Sequence, residues 1–429
     1  MENTNQKLMA FLDASPTAFH AVDNLKKTLL EEGYQALAEH QSWVLAPGGK
    51  YFVVRGESSI IAFRVPVVDF KGFMIAAAHS DSPAYKLRQE AEVASPGGCV
   101  RLSVEPYGGM IHRSWLDRPL SVAGRIVVKE GETLRTKLVN LDRDLLVIPS
   151  VAIHMDRNVN KGTELNPAVD LLPLFGCGEP GKFRRLLAET AEVREEDVLS
   201  TELFLYPHMS ATLVGAEEEF IASSRLDDLQ CVFGCLEGFL AAEDSGSVPM
   251  LCVFNNEEVG SGTRQGADST FLTDVLERVC GDKEKYLTAT ANSFMVSADN
   301  AHAIHPAHPE YADKQEAPVM NGGIVIKYNA NQRYTTDAVS AAVFMKLCQD
   351  AGAPVQRFSN RADLPGGSTL GNISSAHLSV PGVDIGLPQL AMHSSFEVAG
   401  ARDTEYLVKV MTKFYESSFR YLPDGGMAL

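Results

Sequence analysis

No CxxC pair stands among the seven cysteines (Cys99, Cys177, Cys231, Cys235, Cys252, Cys280 and Cys348), and their number is odd. A zinc ribbon needs thiols paired at that spacing, and a disulfide framework needs an even count. Reduced, mostly buried thiols of a cytoplasmic protein are therefore expected, and any metal is expected on His and carboxylates. Basic residues are also scarce: 38 Lys and Arg stand against 55 Asp and Glu, a formal net charge of −17. Non-specific contact with nucleic acid or an anionic membrane relies on basic surface, so neither partner is expected. No uninterrupted apolar run approaches the ~20 residues that span a bilayer. The opening MENTNQKLMAFLDASPTAFHAV has no basic stretch followed by a continuous apolar one, so no secretory leader is read in it.

What is present is ordinary globular material: 429 residues, 45% hydrophobic and 22% charged, enough for a large core. Near the start, Leu8, Phe11 and Leu12, then Phe19, Val22, Leu25 and Leu29, have helical spacing. Ser15 is expected to cap the second helix with Pro16 at its first position. YFVVR, SIIAFRV and FMIAAAH read as strands. From about residue 92 the texture becomes β-rich, with strand-like VRLSVEPYGG, LSVAGRIVVKEGE, RTKLVNL and LLVIPSVAIH around one helix, KFRRLLAETAEV. Beyond it, strands such as MLCVFN, SFMVSAD, GIVIKYN, VQRFS and VDIGL alternate with helices, the last expected from Asp403 to Tyr421. Such alternation predicts an α/β fold, a mixed sheet covered by helices on both faces. The expected organisation is a discontinuous catalytic domain, residues 1–91 plus 222–429, split by a β-rich insert at 92–221.

Metal-capable residues stand where these elements begin or end. His79 and Asp81 follow FMIAAA, Asp227 opens a helix, Glu257 and Glu258 follow MLCVF in NNEEVGSG, Asp299 follows FMVSA, and His393 follows QLAM. Singly, each has an ordinary structural explanation: a packed histidine, a helix cap, a solvated turn. Together they are five segments delivering ligands to what an α/β sheet makes one rim, outside the strand carboxyl ends. Two divalent ions carry four positive charges. Asp227, Glu258 and Asp299 supply three negatives, neutral His79 and His393 none, and a hydroxide the fourth. Glu257 is then free to act as a base, because a cation inverts the pKa logic that otherwise keeps neighbouring carboxylates apart. Asp81 is placed to accept the second N–H of His79 and fix its tautomer. Paired metals that acidify water, with a glutamate to move its proton, carry out amide hydrolysis.

Ten blocks in order, SPTAFHAV, AAHSDSPAYKLR, YGGMIHRSWLDRPL, VAIHMDRNVN, SRLDDLQ, NNEEVGSG, SADNAHAIHP, KYNANQRYTTDA, GGSTLG and QLAMHSSFE, resemble the aspartyl aminopeptidases, within the dinuclear-zinc exopeptidases. The likeness covers nearly the whole chain. It implies a zinc-exopeptidase, phosphorylase/hydrolase-like fold with His79 and Asp299 on one zinc, Glu258 and His393 on the other, and Asp227 bridging. It also implies Glu257 as general base, Asp81 as orienter of His79, a dimerisation role for the insert and a tetrahedral homo-dodecamer. Peptides with a free N-terminus would be the substrates, often with Asp or Glu first. Lys327 would meet an acidic side chain, the alternative being a lysine that snorkels to the surface. His154 would reach a neighbouring subunit's active site, or else pack in a core. His302 is expected in the substrate pocket, with His305 undecided. Gly366, Gly367 and Ser368 form a loop whose backbone could contact substrate, or an ordinary glycine turn. Manganese or cobalt suits the same ligands. The competing functions are a dinuclear-metal deacylase of N-acyl amino acids and a non-catalytic assembly protein.

Overall fold

A computed structural model describes residues 2–364, 366–422, 424 and 426–429. Among these residues the largest sheet has nine strands, and its centre is four parallel ones: Val248–Phe254, Phe73–His79, Phe294–Ala298 and Gly382–Gly386. Ser59–Arg64 flanks them antiparallel on one side and Ile324–Tyr328 on the other. Alternation along the strands divides the core in two. Met74, Ala76 and Ala78 face a layer formed by helices Glu2–Asp13, Ala18–Glu31, Leu226–Ala241, Ala338–Ala351 and Asp403–Tyr415. Phe73, Ile75 and Ala77 face helices Phe271–Cys280, Lys283–Ala291 and Leu370–His377. Each large apolar side chain hidden this way stabilises the fold by about 1.5–3 kcal/mol before entropy is counted. Leu226–Ala241 lies so close to Asp403–Tyr415 that a Cβ at Gly238 would come within 2.6 Å of the Met411 Cβ. The expected α/β class, with helices on both faces, is the observed one.

A six-stranded antiparallel sheet carries its own core. Its strands run, in spatial order, Thr133–Asn140, Leu120–Glu130, Val198–Pro207, Ala84–Ser95, Cys99–Tyr107 and Leu174–Cys177. Leu102, Ile126 and Leu203 pack there against Phe183 and Leu187 of helix Lys182–Thr190. A third sheet orders Thr212–Val214, Phe220–Ser223, Glu397–Gly400, Pro388–Leu390 and Ala301–His302. Phe220–Ser223, which straddles the expected boundary at 221, thus pairs outside the six-stranded sheet, and that sheet begins at Ala84.

Several local expectations need correction. Thr17, not Ser15, is the cap of Ala18–Glu31, and the Ser15 hydroxyl instead accepts from Asn24. LLVIPSVAIH forms only isolated bridges at Leu146 and Val147, because proline and the following turn interrupt the ladder. The last helix stops at Tyr415, and Tyr421 lies in a two-residue strand. Two of the longest strands have no clean period in the sequence: Ala84–Ser95 carries charged outward positions, and in Val198–Pro207 an exposed Leu199 breaks the alternation.

Candidate metal centre

The register of the parallel strands assembles the site. Phe254 pairs with His79, so the chain leaving Phe254 carries Glu257 and Glu258 across the end of the His79 strand. Asp299 follows the adjacent strand Phe294–Ala298. The small third sheet provides the rest. Asp227 comes just after Phe220–Ser223, and His393 lies in the turn between Pro388–Leu390 and Glu397–Gly400. Asp227 does not cap its helix: its φ/ψ of −82° and 106° is non-helical, which frees the carboxylate.

These side chains meet in one cavity of about 300 Å³, lined by His79, Asp227, Glu257, Glu258, Asp299 and His393. Each imidazole is pinned at Nδ1 by a backbone carbonyl. His79 faces the carbonyl of Asp81 at 3.1 Å, and His393 that of Gly109 at 2.6 Å. A carbonyl only accepts, so Nδ1 carries the hydrogen and Nε2 presents its lone pair. His79 Nε2 lies 3.5 Å from Asp227 Oδ1, and His393 Nε2 lies 3.4 Å from Asp227 Oδ2 and 3.3 Å from Glu258 Oε2. Two donors on one tetrahedral zinc, each ~2.0–2.2 Å from it, stand roughly 3.3–3.5 Å apart. Asp227 Oδ1 and Glu258 Oε1 are buried without a hydrogen-bond partner. An orphaned buried oxygen costs on the order of 1–3 kcal/mol, and a cation is the partner that this donor set fits.

The electrostatics point the same way. Asp81, Asp227, Asp228, Glu257, Glu258, Asp299 and Glu397 crowd the site, all buried or half-buried, and Lys327 is the nearby ammonium, 3.2 Å from Asp299 Oδ1. Burial first, then mutual repulsion, pushes the carboxyls of Asp228, Glu258 and Asp299 above their usual range. Glu257 and Glu397 are each raised by burial to about 8. A divalent cation among them reverses that direction.

The sequence model of the family described as Aminopeptidase I zinc metalloprotease (M18) matches residues 11–415. The chain belongs to the M18 family. It is 44% identical over 424 residues to a probable M18 family aminopeptidase 2 of Clostridium novyi, covering 95% of this chain and 98% of that protein. A cryo-EM structure of the Ape4 and Nbr1 complex superposes with a TM-score of 0.94 at 35% identity, covering 97% of this chain and 86% of that one. The S. cerevisiae mApe1 dodecamer gives a TM-score of 0.85 at 26% identity, with 97% of both chains covered. This M18 chain is thus an aminopeptidase, a hydrolase of the zinc metalloprotease class. No helix among its described residues is long and apolar enough to cross a membrane.

In the M18 chain the remaining candidates fall in different places. His302, Lys327, Gly367 and Ser368 line the same cavity as the histidines and carboxylates. Lys327 does not snorkel: it is 3% exposed and ion-paired. His305 belongs to a neighbouring cavity with His302 and His308, and Gly366 to another with Asn360. His154 is exposed on a turn, so it is no core histidine, and it does not line the cavity of its own chain. Asp81 departs from its expected contact. Its carboxylate is 3.6 Å from His79 Nδ1, farther than its own carbonyl, and it accepts the N–H groups of Glu257 at 3.1 Å and Glu258 at 3.2 Å.

Two buried carboxylates escaped the sequence reading. Glu397 accepts the N–H of Asp227 at 3.1 Å and of His393 at 2.7 Å, and Asp228 accepts that of His79 at 3.2 Å. The signal for Asp228 was its adjacency to Asp227. Glu397, four residues past His393 in a short strand, carried none.

Proposed function

We propose that this aminopeptidase uses two zinc ions, with His79 and Asp299 at one, His393 and Glu258 at the other, and Asp227 between them. The observation carrying this reading is Asp227 itself, whose two oxygens face two separate Nε2 lone pairs at 3.5 and 3.4 Å. When bound, the ions supply Lewis-acid polarisation of the scissile carbonyl and a more acidic water. The chain's own groups do the rest. Glu257, on the cavity wall and outside the proposed ligand set, suits a base that takes the water's proton and returns it to the leaving amine. Asp81 holds the backbone of that glutamate through its N–H.

The Lys327 ammonium favours an acidic first residue, because a buried cation at the cavity wall rewards a carboxylate and repels another cation. Gly367 and Ser368 border the same space and are assigned to the substrate backbone, and His302, in the same lining, to the substrate pocket. His154 shares an exposed turn with Ile153 and Met155, which are 53% and 84% exposed. A second copy would cover this apolar surface and bring His154 to a neighbouring cavity. That supports a homo-oligomer built from dimers through the insert, a dodecamer as in the S. cerevisiae relative. Seven free thiols, five of them buried, suit a cytoplasmic setting.

The test is hydrolysis of aminoacyl p-nitroanilides by chelated protein reconstituted with zinc, manganese or cobalt. Unblocked Asp and Glu anilides are expected to be cleaved faster than Ala or Leu anilides. Cleavage of N-acetylated compounds alone would make the chain a deacylase and reject this reading. A mass measurement in solution by light scattering checks the assembly, and a monomer would reject it.

A further inference from the structure

Residues 107–114, following the strand Cys99–Tyr107 of the six-stranded sheet, reach out of that sheet and into the metal centre. The Tyr107 hydroxyl donates to Asp81 Oδ2 at 2.6 Å and accepts from Asn256 Nδ2 at 2.9 Å. The Gly109 carbonyl pins His393 Nδ1, and the Ile111 N–H donates to the His393 carbonyl at 3.0 Å. The Ser114 hydroxyl accepts the Ser395 N–H at 2.9 Å, and the Ser395 hydroxyl donates to the Ser114 carbonyl. Between these contacts, Gly108 adopts φ +75° and approaches Glu258 so closely that a Cβ would stand 3.2 Å from the Glu258 Cβ. One short segment thus touches Asp81, Glu258 and His393, residues drawn from three separate parts of the other unit.

We infer that this segment is a positioning strap of the active site, with Tyr107 acting through Asp81 on the Glu257–Glu258 turn and Gly109 acting on the ring of His393. The inference rests on the two-zinc reading and adds to it a role for the insert within its own chain.

The hydrogen bonds make Tyr107 directional. Asp81 spends Oδ1 on the Glu257 N–H, and Oδ2 on both the Glu258 N–H and the Tyr107 hydroxyl. Rotation of that carboxylate would release both glutamate backbones, and the phenol is the side-chain donor that opposes it. Asn256, immediately before Glu257, fixes the phenol oxygen from the other side. The ring is held edge-to-face by Phe204, with centroids 5.5 Å apart. Removing the oxygen therefore leaves the ring seated and frees only the carboxylate. A direct outer partner of a metal ligand, when lost, costs on the order of 10- to 100-fold in metal affinity or activity. Tyr107, one contact further out through Asp81 and the Glu258 N–H, is placed at the lower end of that range.

The experiment compares Tyr107→Phe with Tyr206→Phe, which deletes a hydroxyl of the same sheet bonded to Asn140 at 2.7 Å. Zinc affinity is read on the chelated protein by competition with a chromophoric chelator, and kcat and KM on an unblocked Glu anilide. For Tyr107→Phe, zinc affinity and kcat are each expected to fall ~10-fold or more, with KM within about twofold and the melting midpoint near that of Tyr206→Phe. Ser114→Ala loosens the His393 end of the strap and is expected to weaken zinc binding separately, so the inference remains open to test should Tyr107→Phe fail to fold. Zinc affinity and kcat in Tyr107→Phe matching those of Tyr206→Phe would overturn it. A wild-type protein that binds zinc yet cleaves no unblocked anilide would defeat the functional reading instead, while the competition assay would still judge the strap.

Discussion

The nine-stranded and six-stranded sheets treat charge in opposite ways. In the six-stranded sheet, half-buried Glu202 meets Lys86 at 3.1 Å and Arg125 at 2.8 Å. Burial tends to raise its pKa, but the two cations win and hold it below the usual carboxylate range. Where the parallel strands of the nine-stranded sheet end, carboxylates crowd beside one lysine, and burial drives most of them the other way. Folding stability is only about 5–15 kcal/mol, too little to tolerate such a cluster without a compensating charge. One sheet finishes its electrostatics internally. The other leaves its carboxylates short of positive charge, as a zinc metalloprotease site would.

The comparison breaks first at Glu257. Glu257→Gln is expected to lower kcat by ~10²–10⁴-fold with zinc content retained, whereas Glu202→Gln leaves kcat within about twofold. Steady-state rates with metal analysis check both, and an unchanged rate in Glu257→Gln removes that residue from the mechanism. Next is the core of the six-stranded sheet: Ile126 is fully buried there, and Ile126→Ala is expected to cost about 2–5 kcal/mol in urea unfolding. The kcat of the molecules that remain folded should not change, since Ile126 touches no part of the metal centre. A parallel loss of kcat would show that the two units are coupled beyond the strap.

Smaller still is Lys327→Met, expected to reduce the preference for Glu over Leu anilides by ~10-fold or more. Equal loss on both substrates would make the Lys327–Asp299 pair purely structural. The smallest effect lies at the junction of the two units. His20 is on the helix whose Phe19 stacks under Arg125, 4.3 Å from ring centroid to guanidinium carbon. Burial, assisted by Lys27 and Arg225 and opposed by Asp23, lowers its pKa from 6.5 to about 4. The neutral form is favoured in the fold, so this contribution is complete above pH 6.5 and fades as pH falls towards 4. The urea midpoint of His20→Gln should therefore fall less between pH 7 and 5 than that of the wild type. An identical fall would remove His20 from the acid response.

The same contrast explains what could be read without a structure. His79 directly follows an apolar run, Asp299 follows one broken only by Ser297, and the Glu257–Glu258 pair follows one after two asparagines, so the end of a buried strand and the start of the site nearly coincide in the sequence. Asp227 was visible as a helix opening, although its backbone turned out not to be helical there. Glu397 was hidden because its work is done on backbone N–H groups, one of them on Asp227, 170 residues away, and no sequence pattern marks a carboxylate that accepts from backbone. Tyr107 opens the block YGGMIHRSWLDRPL, but no local pattern says that a tyrosine oxygen will cross to Asp81. The long strand Ala84–Ser95 was missed because its alternating charges look like a solvated loop until its neighbours are known.

Anomalous diffraction at the zinc edge, on crystals grown with excess zinc, puts the whole account at stake. Two peaks are predicted, one beside His79 and the other beside His393, with Asp227 reaching both. A single peak, or none at Asp227, would contradict it.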